Sequence, residues 1–368
     1  MTNATASIES FQYESGKGWS CAEFPPVDSE RTLVIVFGWR ELETNPAPLN
    51  ALVAAFPKSH IIGCSTSGEI HGDDVHDDTI SVAVFRFAKT TLRLVSAPVH
   101  SPTDSRLAGA HIAEQLIGPD LRGVFVLSDG LKVNGSELVR GIASMLPHDV
   151  AITGGLAGDG SRFEKTWVIH NGKCADGFVT AVGFYGRHVR IGYGSKGGWD
   201  VFGPERLVTK AKGNVLFELD RKPALPLYKN YLGEKASELP ASALLFPLSL
   251  RKDRSDDNRT VRTILAVDEQ SQSMTFAGDI PEGALAQLMR ANFDRLIDGA
   301  SQSALMTRTS DSAPDECLSI AISCVGRRLV LGERTEEELE RVMEVLPGGT
   351  QQVGFYSYGE ISPFVSGG

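Results

Sequence analysis

Four carboxylates in this chain each follow a glycine at the end of a strand-like run: Gly68-Glu69, Gly158-Asp159, Gly278-Asp279 and Gly359-Glu360. Glycine at such a position lets the backbone turn with φ > 0 or approach a ligand closely. The acid after it can accept hydrogen bonds from an ammonium or guanidinium group, so Glu69, Asp159, Asp279 and Glu360 together could line a cleft. The competing reading makes each a turn-former that satisfies neighbouring backbone N–H groups. Arg327, in Cys324-Val325-Gly326-Arg327, stands at the end of another apolar run. Its planar guanidinium could pair with Glu360 or clamp a ligand carboxylate.

Other reactive side chains are less pointedly placed. Cys64 lies between a β-run and the turn Ser65-Thr66-Ser67-Gly68, where a nucleophile could sit. Activation needs a base that the sequence does not put beside it, and a buried thiol facing a sheet is the simpler reading. Gly154-Gly155-Leu156-Ala157-Gly158 invites a phosphate-loop reading, yet no Lys-Ser/Thr follows and no helix starts there. The stretch from His71 to Asp78 has metal-capable side chains without a ligand spacing, which fits a solvated acidic loop. A neutral histidine in an apolar pocket suffices to ligate haem, and His71, His170 and His188 fall in or near β-runs, where strand-end histidines are ordinary. Trp39 and Trp199 each follow a glycine and could floor a pocket or pack in the core.

The elements that must position these groups repeat. Three stretches read as one unit: a β-run, a helix ending in an apolar residue and Pro, a second β-run, then Gly and an acid. The first runs from Leu33 through Phe56-Pro57 to Glu69, the second from Gly123 through Leu146-Pro147 to Asp159, and the third from Leu318 through Leu346-Pro347 to Glu360. Val34 and Gly68, like Val124 and Gly158, are 34 residues apart. Such self-similarity points to a duplicated architecture. Gly278-Asp279 lacks the preceding helix.

Asn45-Pro46 starts the first helix, Asn134 with Glu137 the second, and Thr335 with Glu338 reads as a capping box for the third. Between units, Thr79 to Phe87 with Thr91 to Val95, and Gly177 to Tyr185 with Val189 to Tyr193, read as hairpins, so the sheets should be mixed. A helix is expected from about Asp104 to Ile117, extended chain over Val208 to Glu218 and an aromatic helix over Ala224 to Leu232. Arg251 to Arg259 reads as a solvated hairpin tip, and Pro281 should start a helix carrying Leu285, Leu288, Met289, Phe293 and Leu296.

The 368 residues exceed what one core usually organises, and 42% apolar with 22% charged residues is ordinary for a globular chain. A formal charge of −10 argues against a nucleic-acid partner. No run approaches the length of a spanning helix, so membrane insertion is not expected. Met1 through Ser20 is polar, without the pattern of a secretory leader. Five cysteines without framework spacing fit a reduced, cytoplasmic protein.

The runs Gly63 to Ile70, Gly154 to Asp159, Cys324 to Arg327 and Gly354 to Ile361, taken in order, resemble the FIST proteins over roughly Arg31 to Pro363. The resemblance implies an N-terminal segment over 1–30, a FIST N-terminal domain over 31–229 and a FIST C-terminal domain over 230–363. It implies a sensory, non-enzymatic protein that binds a small molecule and signals to another chain. A subset of similar bacterial members are haem-binding nitric-oxide sensors that control histidine kinases or cyclic-di-GMP enzymes (diguanylate cyclases or phosphodiesterases); amino acids have been proposed as ligands elsewhere in the family. The F-box of eukaryotic members is not expected in the short segment before residue 31.

The expected fold is therefore α/β: a two-domain layered sandwich of mixed β-sheets flanked by helices, built from duplicated β-α-β-hairpin units. The expected ligand-binding residues are Cys64, Ser65, Thr66, Glu69, Gly155, Asp159, Asp279, Arg327, Tyr356, Tyr358 and Glu360, with His71, His170 and His188 as candidate haem ligands.

Overall fold

The computed structural model describes residues 6–256, 258–308 and 317–363. Each predicted unit forms a β-α-β element whose two strands pair in parallel. Thr32–Gly38 lies beside His60–Ser65 in register Val34↔Ile61, Leu121–Ser128 beside Ala151–Leu156 in register Val124↔Ile152, and Leu318–Cys324 beside Gln351–Ser357 in register Ile320↔Val353. The intervening helices are Ala47–Ala55, Gly135–Ala143 and, in the third unit, Val325–Leu331 followed by Thr335–Val345. The first strand is buried at every position because its apolar run is covered on both faces.

The units do not stand side by side; they exchange strands in a cycle. The strand after the first unit's turn, Glu69–His71, pairs with Gln351–Ser357 of the third unit. Val168–His170, downstream of the second unit's turn, pairs with the first unit at Cys64. Gly359–Ile361, after the third turn, pairs with Gly154, Gly155 and Leu156 of the second unit. Each sheet is thus completed by another copy, and three equivalent exchange interfaces result.

Around this ring the described residues form four sheets. The first orders Lys173–Ala175, Val168–His170, His60–Ser65, Thr32–Gly38, Thr79–Arg86, Ser7–Glu14 and Gly18–Trp19. The second orders Gly359–Ile361, Ala151–Leu156, Leu121–Ser128, Phe178–Tyr185 and Thr91–Pro98. A four-stranded sheet has Leu318–Cys324 at its edge, and an antiparallel sheet is built on Leu285–Ala291 and the long strand Trp199–Lys212. The α/β layered architecture with mixed sheets is as the sequence indicated.

Several elements differ from expectation. Thr79–Arg86 and Thr91–Pro98 do not form a hairpin: the first returns to Thr32–Gly38, while the second crosses to pair with Phe178–Tyr185 in the other sheet. Val189 to Tyr193 forms no strand. Leu285–Ala291 is a strand rather than helix, because it is flanked by Trp199–Lys212 and Leu248–Arg251, and sheet pairing on both edges outweighs its helical spacing. The helix begins later, at Phe293, behind the Asn292 cap. Thr335 is not a cap either; its hydroxyl donates to the Gly332 carbonyl (2.5 Å), and Glu338 turns inward. By contrast Asn134 caps its helix as read, accepting from the N–H groups of Ser136 and Glu137. The hairpin tip between Leu248–Arg251 and Thr260–Arg262 also forms, with Asp257 outside the described residues.

Candidate functional site

The turns of the three units interlock. Ser67 N–H donates to the Tyr356 carbonyl (2.8 Å), Gly158 N–H to the Ser65 carbonyl (3.0 Å), and Gly160 N–H to Ser67 Oγ (3.0 Å). The acids there are spent on this junction. Glu69, 1% exposed, accepts from the Thr66 hydroxyl and from the N–H and hydroxyl of Thr79 (both 3.0 Å). Burial outweighs those bonds and pushes its carboxyl up to about 7. Asp159, fully buried, accepts from the N–H groups of Phe163 (2.9 Å), Glu164 (3.0 Å) and Lys165 (2.9 Å) and from the Tyr358 hydroxyl. A turn leaves N–H groups that water cannot reach once buried, and a carboxylate a few residues away satisfies them.

The same junction absorbs Ser65, Thr66, Tyr356 and Tyr358. Ser65 Oγ accepts from Trp167 N–H (3.1 Å), Thr66 Oγ1 from Gly68 N–H (3.2 Å), and Tyr358 stacks on Phe163 at 4.9 Å. Cys64 is wholly buried among Phe37, Ile62 and Val168, and desolvation holds its thiol protonated, well above the ordinary range. Gly154 takes φ +148°, and a Cβ there would overlap the Val126 carbonyl; the glycine run serves close strand packing, not a phosphate loop. Arg327 is 8% exposed and pairs not with Glu360 but with Glu338, through Nε (3.0 Å) and Nη2 (2.7 Å). Glu338 also accepts from Ser323 (3.0 Å) and Tyr356 (2.8 Å), so the guanidinium is held by a saturated carboxylate.

One exchange interface is different. Where the third unit's tail meets the second unit, a cleft of about 1970 Å³ opens, bounded by Val124, Thr153 and Gly154 on one side, by Leu318 to Cys324 on another and by Arg262 and Gly278 on a third. Leu318–Cys324 is half-buried along its whole length because it is a sheet edge facing this space. Glu360 lines the cleft and keeps solvent contact there; its one described side-chain partner is the Ser357 hydroxyl (3.1 Å). Protein enclosing it on the remaining sides raises its carboxyl above the usual range. Cys324 lies in the same wall, its thiol pushed up to about 12 by burial and by Glu360. Gly155 pairs with Glu360 in the ladder, and a Cβ on it would press Ile322 at 3.0 Å. Asp279 stands behind the wall: it accepts from Asn134 Nδ2 (2.5 Å) and from Arg140, tying the fourth sheet to the second unit's helix.

The model of the FIST N domain matches residues 32–222 and that of the FIST C domain matches residues 224–363. The chain belongs to the FIST family.

FIST domains are associated with sensory and signal-transduction proteins. Among curated proteins, an uncharacterized protein of Methanocaldococcus jannaschii is 24% identical over 266 residues, covering 66% of this chain. The match spans 50% of that relative's own length. Among solved structures, a chorismatase crystal structure covers 98% of this chain and 99% of its own at 10% identity with a TM-score of 0.34, a likeness that assigns neither fold nor activity.

In this FIST chain the three histidines separate clearly. His170 holds Ser96 Oγ (2.8 Å) and Asn171 Nδ2 (3.0 Å) on its two ring nitrogens and stacks on Phe178 at 4.3 Å. His71 lies in the Glu69–His71 strand, beside Ser81, and burial lowers its pKa. His188 lines the cleft, exposed, with no hydrogen-bond partner among the described residues. Trp199 also lines the cleft, whereas Trp39 packs in the core against Tyr13.

Glu338, Arg140, Arg262 and Ser136 escaped the sequence reading. Glu338 was hidden behind a plausible cap pattern, and Arg140 and Arg262 sit on surfaces that only the fold brings together. No group of three or more His, Cys, Asp or Glu that could hold a metal ion occurs among the described residues, and no described helix is long and apolar enough to cross a membrane.

Proposed function

We propose that this FIST protein is a non-enzymatic cytoplasmic sensor whose small ligand occupies the open cleft and whose occupancy is read by a separate signalling protein. The observation that carries this reading is the cleft itself, walled by residues from both FIST domains, so that a guest bridging Thr153 and Arg262 shifts their relation. A histidine kinase or a cyclic-di-GMP enzyme is the partner this reading favours.

In its haem form the reading fits one histidine. The cleft wall carries Phe85, Phe87 and Phe184 as an apolar surface, and His188 offers an unengaged imidazole beside it. Haem would supply gas binding at its iron; the chain would hold the ring and exclude water. Haem titration should give a Soret band that is lost in His188→Ala, and a chain that gains no band rejects this form.

A second form, a receptor for an amino acid or similar polar metabolite, is supported by Glu360, a solvent-accessible carboxylate facing the cleft with one described side-chain partner. Its raised pKa matches a group awaiting an ammonium ion. Ligand at about 100 times its dissociation constant should add roughly 2.7 kcal/mol of stability. A screen of amino acids without any thermal shift removes this form.

A further inference from the structure

The charge balance of the cleft is opposite to that of the chain. The whole sequence has 36 Lys and Arg against 46 Asp and Glu. Along the cleft, by contrast, Lys and Arg outnumber the carboxylates, of which Glu338 and Glu360 are the members. Two of these cations have carboxylate partners. Arg327 is held by Glu338, and Arg259 reaches Glu205 (3.4 Å).

Arg262 is not accounted for in this way. It lies in the cleft wall with its guanidinium against Gly278, where a Cβ would come within 3.3 Å of it. Its donors reach neutral acceptors: Nε to the Asp279 carbonyl (2.9 Å), Nη1 to the Val261 carbonyl (3.2 Å) and Nη2 to Ser136 Oγ (3.3 Å). No ion pair to Arg262 exists among the described residues. The neighbouring carboxylate, Asp279, is already bonded by Arg140 and by Asn134. Arg140 also lines the cleft, half-exposed. Burial disfavours the charged form of Arg262, Arg140 adds repulsion, and Asp279 offsets part of both. Arg140 is paired with Glu137 as well as with Asp279, so Arg262 is the one of these two guanidinium groups without a carboxylate bond, and its charge is left facing the cleft. An enclosed, underpaired charge costs free energy that an incoming anion recovers.

We propose that Arg262, Arg140 and Ser136 form an oxyanion subsite that receives the carboxylate or phosphate of an organic anion. The planar fork of Arg262 suits a two-oxygen group, and the Ser136 hydroxyl stands beside it, 3.3 Å from Nη2. The remainder of the ligand is apolar, because the wall continues from Gly135 to Leu156 and Ile322. This subsite rests on the cleft being the sensor's ligand site, and it names the chemistry of one end of the guest.

Calorimetric titration of the full chain with benzoate and with its neutral isostere benzamide tests the assignment. Benzoate should bind, more weakly as salt rises, and benzamide should not; equal binding of the two overturns the subsite. Arg262→Gln should weaken benzoate roughly tenfold or more, since a hydrogen bond to a charged group is lost. Unchanged affinity in that variant also overturns it. If Arg262→Gln does not fold, Arg262→Lys retains the charge without the fork, and it should weaken benzoate roughly threefold while leaving its salt dependence intact; full affinity in that variant counts against the fork. Inorganic phosphate displacing benzoate assigns the subsite to phosphoryl groups, and no displacement assigns it to carboxylates. Haem or amino-acid binding without any benzoate binding removes the subsite alone, whereas failure of all of them removes the cleft as a ligand site.

Discussion

Two of the three strand-exchange interfaces are closed, and one is open. At the first, Glu69 turns inward and is satisfied by Thr66 and Thr79; at the second, Asp159 turns inward and gathers three N–H groups and a phenol. At the third, Glu360 occupies the equivalent place after its glycine but faces a cleft with a single hydroxyl partner. The local pattern is the same in all three. What differs is what lies opposite: packed turns in two cases, and in the third the half-buried edge Leu318–Cys324 and the loop around Arg262. Equivalent turn acids thus divide into two that are buried in packed turns and one that faces the cleft.

The largest effect that would test this division is on Asp159. Asp159→Ala leaves three half-buried N–H groups and the Tyr358 hydroxyl without their acceptor and should cost about 5 kcal/mol in a denaturant melt. A loss below about 1 kcal/mol would put Asp159 in the same class as Glu360. Next comes Glu338→Ala, which strands Arg327 in the wall between the closed and open interfaces; a loss of roughly 4 kcal/mol is expected from an unpaired buried charge.

Glu69 gives the pH arm of the comparison. Its folded-state pKa is raised from 4.5 to about 7, so the folded chain binds this proton more tightly than the unfolded one. Its contribution to stability is full below about pH 4.5 and falls as pH rises toward 7, by roughly 3 kcal/mol in all. Melts of Glu69→Gln between pH 4.5 and 8 should show that part of the slope removed, and an unaltered slope would mean Glu69 is not the buried acid described. Smallest is Glu360→Gln. With its carboxyl open to the cleft, the exchange should change stability by no more than about 0.5 kcal/mol while altering ligand affinity. A large stability loss there would erase the contrast between the interfaces.

How much could be read beforehand depends on the range of the interaction. The helix behind Asn134 was legible because its cap and its apolar stripe lie within one turn or two of each other. The three parallel pairs were legible because each unit carries its own two strands. Leu285–Ala291 was misread as helix, since Leu285, Leu288 and Met289 satisfy helical spacing and the two flanking strands are distant in sequence. The supposed hairpin at Ala88 to Thr90 failed for the same reason: a short turn cannot reveal that its two strands belong to different sheets. Arg327 was rightly singled out, yet its partner, Glu338, looked like a cap from local spacing alone.

The amino-acid order by itself determined the triplicated unit, the mixed sheets and the glycine that places an acid after each turn, because these follow from periodicities and turn chemistry confined to a few residues. Only the tertiary structure decided which acid is buried and which faces the cleft, because desolvation and hydrogen-bond supply depend on what packs opposite. It also decided that Arg140 and Arg262, far apart along the chain, both stand beside Asp279 at a single cleft wall. Cyclic strand exchange brings those distant surfaces together, and no local pattern encodes which of its three seams stays open.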